Sequence, residues 1–447
     1  MPKPELPLIR GFGRDAVFAY RDGREIPAAR FVHDVRELST RLPAGSHVIN
    51  LCADRYRFAV GFAAALVSGQ ISLLPPNNTP ALLEHLLARY PHAYCLVDSG
   101  DACAGPRTVP YPDLGAVAPG ALAVPAIATE QVAALVLTSG STGEPLPHPK
   151  TWGALVESAH AECARLGLSD QPGAAIIGTV PPQHMYGFES TVLLAMQGGL
   201  ALHAARPFYP ADICTEIART PRPRGLVTTP VHLRALLAED GPLPPLDFLV
   251  CATAPLPPQL GAAAEARFAV RLHEIYGCTE AGQVATRRTV QTPEWQTLGD
   301  LVLRQDERGA WVSGGHVDGE IQLSDVIELR SPRNFLLHGR TADLVNIAGK
   351  RTSLSNLTYH LNSIEGVIDG VFVMPDEGHG AVTRLTALVV APGLTSEMLM
   401  DALRQRIDPA FLPRPLRLVA ALPRNSTGKL PREALETLVA ELAAEER

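Results

Sequence analysis

Several patterns that would define the chemistry of a protein are missing from this sequence. It has no CxxC pair, no HExxH and no His/Cys ligand spacing, which argues against a structural or catalytic zinc. The Walker phosphate loop, GxxxxGK(S/T), does not occur either. The seven cysteines are scattered and odd in number, a usage typical of free thiols in a reducing cytoplasm.

Long uninterrupted hydrophobic runs are also missing. The longest apolar stretch, Phe58 to Leu74, contains Ser68, Gly69 and Gln70, so we expect a core helix running into a strand and no membrane span. The first residues lack the apolar core of a signal peptide, and the formal net charge of -7 gives no sign of nucleic-acid binding. These absences predict a cytoplasmic protein.

The 447 residues, 46% of them hydrophobic, can form a large core but are too many for one ordinary domain. Through the first three quarters, strand-like and helix-like segments alternate, which predicts a parallel sheet covered by helices. The strand-like segments are 174–180, 226–228 and 248–252, and the helical ones are 152–166, 211–218, 231–239 and 259–268. Because ligands bind at the carboxyl ends of parallel strands, the loops after these strands are candidate site segments.

The pattern changes near Arg340. The order becomes helix, strand, strand, helix, strand, helix, at 355–364, 367–374, 385–390, 396–407, 416–421 and 432–444. This order predicts a compact α+β domain of about 100 residues, a normal domain size. The predicted fold class is therefore α/β, with a large N-terminal domain and a small C-terminal α+β domain.

A loop of small residues follows the first strongly apolar strand. The run Val132 to Leu137 predicts a buried strand, which breaks into Thr138, Ser139, Gly140, Ser141, Thr142 and Gly143. Backbone N–H groups and hydroxyls in such a loop can approach phosphate oxygens, because no large side chain intervenes. A surface turn between two elements is the alternative.

Four further motifs follow in a set order: 183–187 (Gln-His-Met-Tyr-Gly), 276–280 (Tyr-Gly-Cys-Thr-Glu), 339–343 (Gly-Arg-Thr-Ala-Asp) and 423–429 (Pro-Arg-Asn-Ser-Thr-Gly-Lys). With the first loop, they resemble the motifs of the adenylate-forming superfamily, which includes acyl- and aryl-CoA synthetases, peptide-synthetase adenylation domains and firefly luciferase. The resemblance implies ATP-dependent activation of a carboxylic acid. It also implies a core domain at 1–339, a hinge at 340–345 with Ala342 and Asp343, and a mobile domain at 346–447.

The resemblance assigns the charged residues to the reacting groups. Lys429 would be the catalytic lysine, contacting the carboxylate and the nucleotide oxygens, and Arg340 would act near ribose and phosphate. Glu280, with Thr142, would help to hold Mg²⁺, because a carboxylate beside a triphosphate is repelled unless a cation intervenes. The alternatives are a solvated lysine for Lys429 and an exposed glutamate at a helix start for Glu280.

The remaining nucleotide contacts are implied at a small-residue loop, at the second motif and at one aspartate: Thr253, Ala254, Pro255, Tyr276, Gly277, Thr279 and Asp325. The tyrosine would lie against adenine. The aspartate would bind both ribose hydroxyls, since a carboxylate accepts two O–H bonds well. The residues preceding it are Gln-Leu-Ser where relatives have Arg-Thr-Gly, which weakens this match.

The first of the four motifs matches an aromatic-rich gate beside the acyl pocket. The resemblance therefore implies substrate contacts at His184, Tyr186 and Gly187, with a catalytic role for His184. A satisfied structural histidine is the alternative for His184.

Two positions depart from the family pattern. Leu146 stands where relatives carry a phosphate-loop lysine, and Lys150 follows four residues later, from where it would reach phosphates only if the loop bulges. At the hinge, Ala342 replaces the usual aspartate or lysine, with Asp343 next to it.

In relatives, the small domain rotates after adenylation and a thiol attacks the adenylate; the segment 349–351 would swing in. The chain most resembles stand-alone ligases of xanthomonadin and aryl polyene pathways. This resemblance implies a hydroxybenzoate-like acid and the phosphopantetheine thiol of an acyl carrier protein. Coenzyme A is the alternative acceptor, and an inactive nucleotide-binding regulator is the alternative of another class. Basic residues could guide an acidic carrier, or form an ordinary solvated face: Arg404, Arg406, Arg414, Arg417, Arg424, Lys429 and Arg432.

Overall fold

The computed structural model describes residues 3–98, 107–115, 122–139, 145–340, 343–347, 350–374, 385–425 and 428–444. Within them the helices are α1 (Ala28–Ser39), α2 (Arg55–Val67), α3 (Pro80–Arg89), α4 (Trp152–Leu166), α5 (Met185–Gly187), α6 (Leu194–Gly198), α7 (Pro210–Arg219), α8 (Pro230–Ala238), α9 (Pro258–Phe268), α10 (Leu354–Asn362), α11 (Ser396–Arg404) and α12 (Arg432–Ala444). A π-helix spans Phe188–Leu193, and a 3-10 helix spans Pro409–Phe411.

The strands within the same residues are β1 (Glu5–Pro7), β2 (Val17–Arg21), β3 (Arg24–Pro27), β4 (His47–Asn50), β5 (Ile71–Leu74), β6 (Ala93–Val97), β7 (Thr108–Pro110), β8 (Ala126–Ala128), β9 (Val132–Ser139), β10 (Pro145–Thr151), β11 (Ala175–Gly178), β12 (Ala201–His203), β13 (Arg224–Thr228), β14 (Phe248–Cys251), β15 (Leu272–Cys278), β16 (Gly282–Arg287), β17 (Trp295–Thr297), β18 (Val302–Asp306), β19 (Gly309–Gly314), β20 (Val317–Leu323), β21 (Asp325–Ser331), β22 (Asn334–Arg340), β23 (Leu344–Ile347), β24 (Lys350–Ser353), β25 (Asp369–Val373), β26 (Thr386–Val390) and β27 (Leu416–Leu418).

Two sheets dominate the described chain up to residue 340. One has six described strands in the order β10-β9-β5-β4-β6-β7, and the other has eleven in the order β21-β22-β17-β16-β15-β14-β13-β11-β12-β2-β3. In the larger sheet, all neighbours from β15 through β14, β13, β11 and β12 to β2 run parallel. The predicted α/β class with parallel-rich sheets is confirmed.

Helix α2 lies between the two sheets, in contact with β4 and β5 of one and with β12 of the other. Every residue from Phe58 to Leu66 is buried, as expected of a helix that is apolar on all faces. Asp54 caps the helix, because its side chain accepts a hydrogen bond from the Arg57 amide at 2.9 Å. The chain then enters β5, so the predicted core helix followed by a strand is confirmed.

Beyond β15 the predicted alternation of strands and helices stops. Strands β16, β17, β22 and β21 extend the large sheet in antiparallel pairing, and β18, β19 and β20 form a separate antiparallel sheet. The sequence pattern that indicates strands in this region is an alternation of apolar and polar residues with a period of two. In β19, Ala310 and Val312 are buried while their neighbours are half-buried, as on a sheet with one covered face.

We call the described residues from 343 to 444 the C-terminal unit. Its elements α10, β25, β26, α11, β27 and α12 follow the predicted order, although β27 ends at Leu418 and the antiparallel hairpin β23–β24 was not predicted. Strands β25, β26 and β27 form a sheet in that order. This sheet packs with α10 and α11 around its own hydrophobic cluster, which includes Leu361, Phe372 and Leu403.

The described residues also bear on the predictions about membrane spans and cysteines. No helix among them combines the length and the apolar character needed to cross a membrane. The cysteines in these ranges are free thiols, most of them buried.

Candidate active site

The candidate site lies at the edge where the parallel strands of the large sheet end. Strand β14 leads into the loop Thr253–Pro255, and its neighbour β15 leads into Thr279 and Glu280. Strand β11, in the same sheet, leads toward the motif at 183–187. Because carboxyl ends of parallel neighbours share one edge, the structure brings together three predicted segments that are distant in sequence.

The loop after β14 has a constrained backbone. Thr253 has a φ of +83°, a region that non-glycine residues rarely occupy and that clusters at functional sites. Three residues later, the Leu256 amide donates to Glu274 Oε1 at 3.0 Å. Glu274 is buried and receives a 2.7 Å hydrogen bond from Arg287 Nε. The far end of this loop is therefore anchored to β15.

The residues predicted for adenine and ribose lie next to one another. The Tyr276 hydroxyl donates to Asp325 Oδ2 at 2.7 Å, and the Tyr276 ring packs against Trp295 and Phe335, with centroids 5.7 Å away in both cases. Asp325 begins β21 and is the register partner of Arg340 at the end of β22. The side chain of Arg340 lies outside the described part. The backbone register nevertheless places the two predicted ribose-side residues opposite each other.

Close backbone contacts explain the glycines of the second and first motifs. A Cβ on Gly277 would come within 2.4 Å of the Gly282 carbonyl oxygen, and one on Gly187 within 2.1 Å of the Pro181 carbonyl oxygen. Tyr186, beside Gly187, is buried, and its hydroxyl donates to the carbonyls of Thr228 (3.1 Å) and Val250 (3.2 Å). Tyr186 thus ties its segment to the ends of β13 and β14, and its substrate contact stays a prediction.

The loop that carries Lys429 is closed by its own hydrogen bonds. The Lys429 amide donates to Asn425 Oδ1 at 2.9 Å, the Asn425 amide donates to the Lys429 carbonyl at 2.9 Å, and Arg424 Nη1 donates to the Gly428 carbonyl at 2.7 Å. Gly428 packs on the start of α8: a Cβ there would lie 3.1 Å from Val231 Cγ2. The C-terminal unit therefore packs its lysine loop against the start of α8.

Lys429 and His184 lie close enough to interact electrostatically. Burial and, second, the positive charge of Lys429 lower the pKa of His184 to about 4, so the imidazole is neutral at physiological pH. Its Nδ1 is buried and has no hydrogen-bond partner among the described residues. The predicted catalytic lysine and the predicted substrate-side histidine are thus brought together from units 245 positions apart in the sequence (429 − 184).

Asp369 stabilises the loop that carries Lys429 through an ion pair with Arg424. Arg424 makes a bidentate ion pair with Asp369, with Nε–Oδ2 and Nη2–Oδ1 distances of 2.6 and 2.8 Å. Arg234 of α8 also approaches Asp369, with Nη1 3.9 Å from Oδ1. A second link joins Gln259 Nε2 to the Ser363 carbonyl at 3.1 Å. The docked orientation of the C-terminal unit therefore coincides with a Lys429 that faces the site.

The phosphate loop is only partly described. β9 ends at Ser139 and β10 begins at Pro145, and these two residues are register partners; Thr138 pairs with Leu146. The side chains of Thr138 and Ser139 lie outside the described part, as do Gly140, Ser141, Thr142 and Gly143, so the predicted roles of these residues stay predictions. Ala342 at the predicted hinge also falls outside, whereas Asp343 accepts a 3.1 Å hydrogen bond from Ser355 Oγ.

Lys150 lies on β10, and its side chain bonds the turn after β15. It pairs with Ala134, five residue pairs from the loop end of the hairpin, which is about 17 Å along an antiparallel strand. Its side chain is buried, and Nζ donates to the main-chain carbonyl of Glu280. Whether Lys150 also reaches the phosphates through a bulged loop stays a prediction, because residues 140–144 lie outside the described part.

Glu280 lies half-buried in the turn between β15 and β16, not at a helix start. Among the described residues, no group of three His, Cys, Asp or Glu side chains could hold a metal ion by itself. Mg²⁺ in nucleotide sites is usually held by one or two carboxylates, with phosphate oxygens and water completing the octahedron. A single glutamate at the nucleotide edge fits this donor set.

Two buried carboxylates beneath the site were not predicted from the sequence. Burial raises the pKa of Glu162 to about 7 and that of Glu189 to about 8. Gln283 Nε2 donates to Glu162 Oε2 and to Ser190 Oγ, both at 2.9 Å. Glu189 and Ser190 lie on the π-helix that follows the first motif, an element that occurs often at functional sites. The available sequence signal was the spacing of Ser158 and Glu162, which lie four residues apart on the same face of α4 as the apolar residues Leu155 and Ala159.

The thiol inside the second motif is protonated. Burial, and then the nearby carboxylate of Glu280, raise the pKa of Cys278 to about 12. A thiol with this pKa is a weak nucleophile, because the thiolate is the reactive form.

Similarity to known proteins agrees with this geometry. Solved structures with the same fold include the anthranilate CoA ligase AuaEII in complex with anthranoyl-AMP (15% identity, TM-score 0.81, 98% of this chain and 99% of that chain). Another is the amide bond synthetase McbA from Marinactinospora thermotolerans (20% identity, TM-score 0.79, 96% and 97%). The fold is thus the mixed α/β fold of adenylate-forming enzymes.

The chain belongs to the AMP-binding enzyme family, whose model matches residues 44–307. It is 31% identical over 305 residues to a 4-coumarate–CoA ligase of Rhodobacter capsulatus, covering 67% of this chain and 75% of that protein. It is 24% identical over 432 residues to a 4-hydroxybenzoate–CoA/benzoate–CoA ligase of Rhodopseudomonas palustris, covering 87% and 78%. The prediction of an enzyme of the AMP-forming acid–thiol ligase class is confirmed.

Proposed function

We propose that this enzyme uses ATP to convert an aromatic carboxylate into an aryl-adenylate and pyrophosphate, and then transfers the aryl group to a thiol with release of AMP. The observation that carries the proposal is the convergence of Lys429 and His184 near the carboxyl end of β13. In the first step a carboxylate attacks the α-phosphate, and the Lys429 ammonium stabilises the negative charge that develops between the two.

The roles of the other groups follow from their positions. Tyr276 and Asp325, joined by a hydrogen bond, would bind adenine and ribose, with Arg340 opposite. Mg²⁺, held by Glu280 with Thr142, would neutralise charge on the departing pyrophosphate. His184, neutral and with a free Nδ1 among the described contacts, would orient the acid. Residues 1–339 and 346–447 would be the two domains, with the hinge at 340–345.

An aromatic acid is favoured by the names of relatives, which include ligases for 4-coumarate and for 4-hydroxybenzoate or benzoate. ATP–pyrophosphate exchange with a panel of benzoates, cinnamates and alkyl acids tests this proposal. We expect hydroxybenzoate-like acids to support the fastest exchange. Exchange only with alkyl acids would contradict the proposed substrate class.

The acceptor would be a phosphopantetheine thiol, carried by coenzyme A or by an acyl carrier protein. Coenzyme A agrees with the names of the relatives. A carrier agrees with a groove between α11 and β27 that has both basic and apolar walls, including Arg404, Arg414, Met400 and Leu416. The basic surface is smaller than the sequence suggested, because Arg424 forms an ion pair with Asp369 and Arg404 forms one with Asp401.

Separate reactions with each acceptor distinguish coenzyme A from a carrier protein. The purified enzyme is given ATP, the best acid and either coenzyme A or a phosphopantetheinylated carrier protein from an aryl polyene pathway, and the products are weighed by mass spectrometry. An aryl-carrier thioester would support the pigment-pathway subgroup, and an aryl-CoA would support the alternative. An inactive nucleotide-binding protein, suggested by Leu146 and Ala342, would show no exchange with any acid.

A further inference from the structure

Lysine is rare in this chain: it has four, Lys3, Lys150, Lys350 and Lys429, among 39 basic residues. The side chains of Lys3 and Lys350 are 74% and 55% exposed, and Lys429 is exposed, whereas Lys150 is only 8% exposed. Lysines are almost never buried to this extent unless they are paired. The burial of Lys150 therefore needs a partner and a reason.

The partners of Lys150 come from two other segments. Its Nζ donates a hydrogen bond to the main-chain carbonyl of Glu280. The buried carboxylate of Glu189, on the π-helix, interacts with its charge. Glu189 also packs directly below the turn, because a Cβ on Gly282 would lie 2.9 Å from Glu189 Oε1.

Lys150 thus connects three segments of the candidate site. It lies on β10, the strand after the phosphate loop, and its hydrogen bond reaches the turn that carries Thr279 and Glu280. Its buried neighbour Glu189 lies five residues after His184. Such a link fixes the main chain of the turn at the residue whose side chain would meet the metal.

We propose that Lys150 is a positioning residue for Glu280, which holds the turn so that the Glu280 carboxylate points at Mg²⁺–ATP. The inference rests on the proposed function in one respect, the assignment of Glu280 to the metal. Glu280 is the carboxylate that we assign to the metal, and phosphate oxygens and water usually complete the coordination of Mg²⁺ in nucleotide sites. The position of a single ligand then matters more than it would in a closed protein site, and groups that orient a metal ligand typically affect affinity by about 10- to 100-fold.

Calorimetric titration of ATP tests the proposal without any acid or acceptor. ATP is titrated into the wild-type enzyme, Lys150→Met and Lys150→Gln, once with Mg²⁺ and once with EDTA. We expect Lys150→Met to weaken binding about tenfold with Mg²⁺ and to leave binding in EDTA unchanged. Lys150→Gln retains an N–H donor for the Glu280 carbonyl and should lie between Lys150→Met and wild type.

Two further variants make the test specific. Lys3→Met removes an exposed lysine that pairs with Glu130 and should match wild type in both titrations. In a Glu280→Gln background, Lys150→Met should cause no additional loss in Mg²⁺, since the carboxylate that it positions is already gone. The proposal would be overturned if the losses of ATP affinity in Lys150→Met and Glu280→Gln were additive. It would also be overturned if Lys150→Met lost equal affinity with and without Mg²⁺, or bound ATP as wild type does.

The result is separable from the proposed reaction. If Lys150→Met fails to fold, Lys150→Gln and the Glu280→Gln cycle built on it carry the same comparison. If wild type binds Mg²⁺–ATP but exchanges pyrophosphate with no acid, the proposed function fails while the role of Lys150 is still measured.

Discussion

Replacing Asp369 by asparagine tests the link between the C-terminal unit and the position of Lys429. The Asp369 carboxylate binds Arg424, Arg424 also donates to the Gly428 carbonyl, and Gly428 directly precedes Lys429. Asparagine keeps the shape of the side chain but removes its charge. Arg424 and Arg234 would then face each other without the carboxylate between them.

The size of the effect follows from burial and hydrogen bonding. The Arg424 and Asp369 side chains are 17% and 12% exposed, so solvent screens their interaction little. Hydrogen bonds to charged groups contribute about 1.5–3 kcal/mol, and a loss of about 2 kcal/mol in holding Lys429 corresponds to roughly a 30-fold slower adenylation. In the proposed reaction Lys429 acts only in the first step, so the second step should keep its wild-type rate.

The two half-reactions are measured separately. ATP–pyrophosphate exchange reports adenylation, and thioester formation from a synthetic aryl-adenylate reports the transfer step. Asp247→Asn is the matched control, because Asp247 also pairs with an arginine, Arg222, but lies at the opposite, amino-terminal end of β14. Equal losses in both half-reactions, or no loss in either, would refute the reasoning.

Three further outcomes follow from the site. Lys429→Ala should abolish pyrophosphate exchange yet spare thioester formation from a synthetic aryl-adenylate. The same variant should raise the pKa of His184 above its value of about 4, because a positive charge no longer opposes protonation; NMR titration of the ring measures this. Glu162→Gln should stabilise the protein at alkaline pH: the folded-state pKa of about 7 exceeds the usual 4.5, so wild type loses stability as pH rises through this window and the variant does not. Thermal unfolding should show a gain of roughly 3 °C at about pH 9 and none at about pH 5.

Each of these outcomes has a contrary result. Loss of both half-reactions in Lys429→Ala would mean that its role is misassigned, and an unchanged His184 titration would mean that the ammonium lies elsewhere. For Glu162→Gln the control is Glu320→Gln, which removes an exposed carboxylate paired with Arg304 and should give no alkaline gain.

Local patterns predicted much of this fold. The apolar stretch 58–74 forms parts of α2 and β5, as predicted. After Arg340, the order of the predicted elements is correct and most of their boundaries agree within a few residues, because periodicity and length distinguish helices from strands over such segments. The strands from β16 to β22 were missed, since their period of two is short and their pairing joins segments that are distant in sequence.

The sequence identified individual residues of the candidate site but not their spatial arrangement. The motif residues Lys429 and His184 are recognisable one by one, but their convergence depends on strand order and on docking of the C-terminal unit. The pairing of Asp325 with Arg340 is a matter of register, which sequence alone does not fix. The burial of Lys150 depends on Glu280, 130 positions away, so no local pattern indicates it.

The protonated thiol of Cys278 has a chemical consequence for the proposed reaction. A mixed anhydride of an acid with AMP acylates any accessible thiolate, and Cys278 is the immediate neighbour of Thr279 at the nucleotide edge. With its pKa near 12, this sulfur carries almost no negative charge at neutral pH and competes poorly with an incoming acceptor. In the proposed reaction, the enzyme would therefore keep a cysteine beside the activated intermediate without acylating itself.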